Sequence, residues 1–252
     1  MTIDIRGVFL DAWAMWRRDR SVLLAVAGFF LFMPQLAVLL WVPRTAFVVV
    51  KAGENPSPAD PQVQAQAMAA LAKYGPLMIG ANLAVIFGLL VILMLYLDSA
   101  RGDVRGVMLA ALRRLPAYFL LTMMVDAVAI LGVTVLYLLL PALYVIGRLL
   151  LAGTIFAGAR VGPLDAVVRS FRMTRGRGLV LAGFATLILF AGELLPRPAL
   201  ALGDVLDRAP LANPVSALII DGVAAVLITV AMLGGVLVRI ALYRRIGASK
   251  GI

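Results

Sequence analysis

The chain contains neither cysteine nor histidine. The first absence removes disulfides, thiolate metal sites and a thiol nucleophile. The second removes the usual general base near neutral pH and the commonest metal ligand. Charge is also scarce: 14% of the 252 residues are charged, and 13 acids stand against 23 lysines and arginines. There is no Gly-x-Gly-x-x-Gly or P-loop run, no metal-ligand spacing, and no serine nucleophile motif with its partners. No cofactor and no metal are therefore expected, and a lipid-modifying membrane enzyme ranks behind non-enzymatic roles.

Apolar residues fill what these absences leave. They make up 63% of the chain, and the mean hydropathy is +1.03. Soluble domains carry about 45–50%, so lipid must cover much of this surface. The formal charge of +10 does not point to nucleic acid. The arginines fall in clusters between apolar runs, the placement typical of the cytoplasmic ends of membrane spans. The first run, Ser21–Val42, exceeds the roughly 7–15-residue core of a signal peptide. It closes on Trp41-Val42-Pro43 without a small-x-small cleavage pattern and is expected to be a permanent span.

Six transmembrane segments are expected, at about 21–42, 77–97, 117–140, 142–159, 179–195 and 215–237. The fold class is an all-α integral membrane protein forming a single polytopic domain over residues 1–252. Its six helices are arranged as three hairpins, each preceded by an amphipathic, basic elbow helix. A kink is expected at Pro34. Pro141 is the expected turn in the apolar run 117–159, and 53–61 and 196–213 read as loops. The first elbow puts Ile5, Val8, Phe9, Ala12, Trp13 and Trp16 on one helical face, which suits a headgroup boundary. The alternative is a soluble helix packed on a core. The second elbow carries Val107, Met108, Ala111, Leu112 and Leu115. With six spans, Arg6, Arg17, Arg18, Arg20, both later basic clusters and the C-terminal arginines share one side. The positive-inside rule places both termini in the cytoplasm.

The third elbow, residues 161–178, is the most basic stretch. Arg169, Arg172, Arg175 and Arg177 accompany a single acid, Asp165, and Leu164, Val167, Val168 and Phe171 recur at helical spacing. Asp165 and Arg169 stand i,i+4 and can pair. Thr174 is placed to cap the helix or bond a phosphate. One reading makes Arg169, Arg172, Thr174, Arg175 and Arg177 a lipid-headgroup site, with membrane phospholipids as partners. The other makes the arginines simple orientation signals. Short matches such as Leu10-Asp-Ala-Trp and Leu164-Asp-Ala-Val suggest an internal repeat of elbow plus hairpin.

The run Ala166-Val-Val-Arg-Ser-Phe-Arg-Met-Thr-Arg-Gly-Arg resembles the A-x-x-R-S-W-x-L-T-R-G stretch of the glycerophosphoryl diester phosphodiesterase membrane-domain family. Phe171 stands where that pattern has tryptophan, and Met173 where it has leucine. The N-terminal helix with Trp13, Trp16 and Arg17-Arg18 before a span is similar too. The resemblance implies a bacterial multi-span membrane part. It does not imply phosphodiesterase activity, because the barrel joined to some members is expected to use histidines, and this chain has none.

Four charges fall within or at the ends of the expected spans: Asp126, Arg148, Glu193 and Asp221. Each demands a partner or water. Equal depth makes Arg148 and Asp221 the expected pair, while Asp126 is expected to reach Arg169 or Arg172 or to face a watery cavity. Asp126, Arg148 and Asp221 are read either as a polar pathway for an ion, proton or headgroup, or as structural charges that fix helix order. Gly132, Gly153, Gly158 and Gly183 are expected at close helix contacts. The functional expectation is a non-enzymatic protein that binds or moves lipids or supports envelope assembly. A small-solute or ion transporter is the alternative, and a homo-oligomer or an envelope protein partner stays open.

Overall fold

The computed structural model describes residues 4–43, 61–98, 104–134, 136–206 and 213–248. Of the stretches named above, 53–60, residues 207–212 of the expected loop 196–213 and the final residues 249–252 lie outside these. Every regular element among the described residues is helical: α1 (Ile5–Ala27), α2 (Met33–Trp41), α3 (Pro61–Leu97), α4 (Val104–Thr134), α5 (Leu139–Leu149), α6 (Ala152–Ala159), α7 (Pro163–Met173), α8 (Gly178–Leu194), α9 (Arg197–Leu206) and α10 (Pro214–Ala248). Six stretches are long and apolar enough to cross a membrane, namely Ile5–Trp41, Gln64–Leu97, Val104–Gly132, Leu139–Ala159, Gly178–Leu206 and Pro214–Ala248. The chain is thus all-helical with six membrane-compatible segments, as its apolar runs require.

Proline governs several boundaries, though not always where the residue itself stands. The helix departs from regular α geometry just before Pro34. A π-helical stretch, Gly28–Phe32, precedes it and runs directly into α2, where Pro34 occupies the first turn. Widening the helix there relieves the clash between the proline ring and the preceding turn. Pro76 and Pro116 lie inside α3 and α4. The expected second elbow is therefore continuous with the span that follows it, and α3 begins at Pro61, well before the expected start of span two at 77. Pro141 is not the turn either. The turn falls between Thr134 and Leu139, through a 3₁₀ segment at Leu136–Leu138, and Pro141 sits in the first turn of α5. A first-turn amide has no helical acceptor, so proline costs nothing there. The expected loop 196–213 contains α9, with Pro198 again near its start.

One buried cluster joins the helices. Leu90, Val91, Ile92 and Met94 of α3 are fully buried, as are Leu151 and Ala152 beside α6, and Ile240 and Leu242 of α10. Glycines set the close approaches. A Cβ at Gly132 would lie 2.3 Å from that of Ala142, and one at Gly88 would lie 2.6 Å from that of Phe30. Gly153 and Gly158 also face close neighbours, but Gly183 does not, since nothing lies within 4 Å of its Cβ position.

The first 15 residues of α1 are tied down by α10. Arg245 donates to Asp11 through Nε and to Asp4 through Nη1, the latter at 3.3 Å. Val8, Ala12 and Met15 form the buried face, whereas Phe9 and Trp13 remain exposed. Asp19 then breaks the helix, at φ −113° and ψ 22°. Its carboxylate accepts from Arg18 at 2.9 Å and from the Tyr96 hydroxyl at 2.7 Å. Arg245→Ala is expected to raise deuterium exchange in residues 5–18 selectively, with the spans unchanged. Uniform exchange across the chain would contradict this tether.

Candidate functional site

Span four is not a single rod. It breaks at Leu150–Leu151 between α5 and α6, and the break leaves the last carbonyls of α5 without helical donors. Residues of the arginine-bearing helix α7 supply them. The Ser170 hydroxyl donates to the Arg148 carbonyl at 2.6 Å. The Arg148 side chain returns the contact: Nε donates to Thr174 Oγ1 at 2.7 Å, Nη1 to the Tyr144 hydroxyl at 3.1 Å, and Nη2 to the Phe171 carbonyl. Thr174 in turn donates to the Ser170 carbonyl at 2.7 Å, so its hydroxyl is used on both sides. The guanidinium also lies 5.0 Å from the Phe171 ring centroid and 5.8 Å from that of Tyr144.

This clamp corrects two expectations. Arg148 does not pair with Asp221; its donors are taken up by Tyr144 and α7. Asp221 lies on α10, buried at 6% exposure and engaged elsewhere. Thr174 leaves the headgroup set, because its hydroxyl is fully buried and committed to the clamp. The depth argument failed because it treated span four as straight and α7 as a separate surface helix. In fact α7 doubles back. Its first residue follows shortly after the end of α6, and its last turn reaches Arg148, 11 residues before that end. Its own 11 residues rise about 16 Å, enough to cover that length.

The buried face of α7 is also not the one its apolar residues suggest. Ala166, Ser170 and Thr174, spaced four apart, are fully buried, while Leu164 and Val168 are exposed. Small side chains let α7 lie close against α5 and α6. The opposite side carries Arg169 and Arg172, and Arg175 follows in the turn after Met173; all three are exposed, and their side chains make no ion pair or hydrogen bond among the described residues. Asp165 and Arg169 do not close into the ion pair their spacing permits. Arg177 is half-buried and engaged with a partner of its own. Three cations thus stand on α7 and the turn that ends it, with no protein acceptor among the described residues to neutralise them.

Asp126 lies elsewhere. It is exposed on α4 and shares its electrostatic field with Arg239 of α10, not with Arg169 or Arg172. Tyr118, buried on α4, feels the same two charges. The Arg239 Nε is buried with no hydrogen-bond partner. Arg239 was missed as a site residue because it belongs by sequence to the C-terminal arginine cluster, yet α10 runs unbroken from Pro214 to Ala248 and carries it inside. Two further contacts escaped the sequence reading. Arg160, in the left-handed region at φ 52°, reaches buried Asp98 at 2.7 Å. Arg114 caps the end of α6 through the carbonyls of Phe156 and Ala157, at 2.9 and 3.5 Å. Both partners are far off in sequence, and no local pattern announces them.

No protein family, no curated protein and no solved structure matches this chain. The resemblance of residues 166–177 to the glycerophosphoryl diester phosphodiesterase membrane-domain family rests on that stretch and on the layout around it.

Proposed function

We propose that this is a non-enzymatic bacterial inner-membrane protein that holds anionic phospholipid headgroups on the cationic face of α7, and through them binds or moves lipids or supports envelope assembly. In this reading the chain is built as three hairpins with basic elbows, both termini lie in the cytoplasm, and its kinship is with the membrane part of the family named above. The carrying observation is the exposed trio of Arg169 and Arg172 on α7 and Arg175 in the turn that ends it, with the other face of α7 locked by Arg148. A preset cationic face loses little freedom on meeting phosphate. Each cation near an anionic membrane surface contributes about 1 kcal/mol.

Arg172→Ala with Arg175→Ala should therefore weaken retention of phosphatidylglycerol by about 30-fold, the equivalent of about 2 kcal/mol. Native mass spectrometry of the purified protein measures this. Unchanged retention would sink the headgroup reading.

A second reading, transport of an ion or small solute, is favoured by the charges Asp126 and Arg239 within the spans. Under it, Asp126→Asn abolishes uptake into proteoliposomes while leaving lipid retention intact.

A further inference from the structure

A groove of about 520 Å³ lies between the first part of α1, α8 and α10. Its walls include Phe9, Trp13 and Trp16 on one side and Leu187 and Ala191 on another, with Gly234 in the α10 wall. The part of its wall drawn from α10 runs from Val238 to Val230, about 12 Å along the helix axis. Two features suit it to one kind of occupant. First, Gly234 leaves the groove open: a Cβ there would meet nothing within 4 Å, whereas at the adjacent Gly235 it would lie 2.9 Å from Ile188. Second, two cations stand close in sequence to its tryptophan wall. Arg17 and Arg20 follow within about one turn of Trp16, beside the break at Asp19. Both are exposed and make no ion pair or hydrogen bond among the described residues.

We infer that this groove binds one acyl chain of a single anionic phospholipid, whose phosphate meets Arg17 and Arg20. The chain lies along α8 and α10, and the tryptophan rings sit at the boundary between chain and headgroup, where such rings favour a half-apolar setting. An apolar slot open to the bilayer exchanges one lipid contact for another, so burial alone gives little selectivity. The arginines then supply the preference for an anionic headgroup. The site rests on the lipid-binding reading above but uses different residues, so the two can fail separately.

The test titrates the full-length protein in detergent with dioleoylphosphatidylglycerol and, separately, dioleoylphosphatidylcholine, counting bound lipid by native mass spectrometry. Gly234→Leu fills the groove and should weaken the tightest phosphatidylglycerol binding at least tenfold. Trp13→Ala, at a position 57% exposed, should weaken it in the same direction. Arg17→Gln with Arg20→Gln should erase the preference for phosphatidylglycerol over phosphatidylcholine. Unchanged binding in both Gly234→Leu and Trp13→Ala overturns the groove. If lipid is lost only on changing Arg172 and Arg175, the groove falls and the α7 site stands. If it is lost only in the groove variants, the groove stands and the α7 site falls.

Discussion

Gly147→Val should prevent the helices from assembling, and Gly147→Ala should already cost about 1–3 kcal/mol. A Cβ at this position would lie 2.4 Å from the backbone nitrogen of Ala182 and 2.5 Å from its Cα. Those are backbone atoms of α8, which cannot swing aside as a side chain would. Nearby, a Cβ at Gly178 would strike the ring of Tyr144 at 2.5 Å. Gly183→Ala and Gly192→Ala are the controls. Nothing lies within 4 Å of either Cβ position, and a shift within about 0.5 kcal/mol is expected. Thermal denaturation in detergent measures all four. A Gly147→Ala protein as stable as its Gly183→Ala counterpart would contradict the close contact.

Arg148→Ala should produce the second large loss. It removes the donors that reach Thr174, Tyr144 and the Phe171 carbonyl. Leaving buried acceptors unmet costs about 1–3 kcal/mol. Arg148→Lys should rescue only part of this, because an ammonium lacks the planar fork that serves three acceptors at once. The more telling comparison is with Asp221→Asn. Since Arg148 is held by α7, the two changes should add within about 0.3–0.5 kcal/mol. A larger coupling would restore the pairing that equal depth in two straight spans suggests.

The two sets of variants mark where the sequence could be read and where it could not. Apolar runs long enough to span a bilayer announce themselves, because lipid and protein interior demand the same side chains. Helix ends did not. Pro76 and Pro116 look like breakers in water, yet inside α3 and α4 neighbouring helices tolerate them. Conversely, the turn before α5 carries no proline at its centre; Pro141 merely opens the helix that follows.

The candidate site was half legible. That residues 161–178 hold the cations, and that a helix carries them, follows from spacing and charge. Its inward face does not: three small residues, Ala166, Ser170 and Thr174, are buried while Leu164 stays exposed at 66%. In a bilayer, leucine facing lipid loses nothing, and small residues gain by letting backbones approach. The apolar side and the inner side of α7 therefore coincide only in part: Val167 packs against the core while Leu164 and Val168 are exposed. The role of Arg148 was illegible for a different reason. Its partners are fixed by the break in span four and the return of α7, and neither leaves a mark in local sequence.

The central claim is a cationic α7 face on the same side of the membrane as the N-terminus. The natural absence of cysteine makes a direct test simple, because one introduced thiol reports alone. Arg6→Cys, Arg172→Cys and Asn213→Cys proteins would be labelled with a membrane-impermeant maleimide, in right-side-out and in inverted vesicles. The account predicts that positions 6 and 172 label only in inverted vesicles and position 213 only in right-side-out ones. Labelling of positions 172 and 213 from the same side would contradict it.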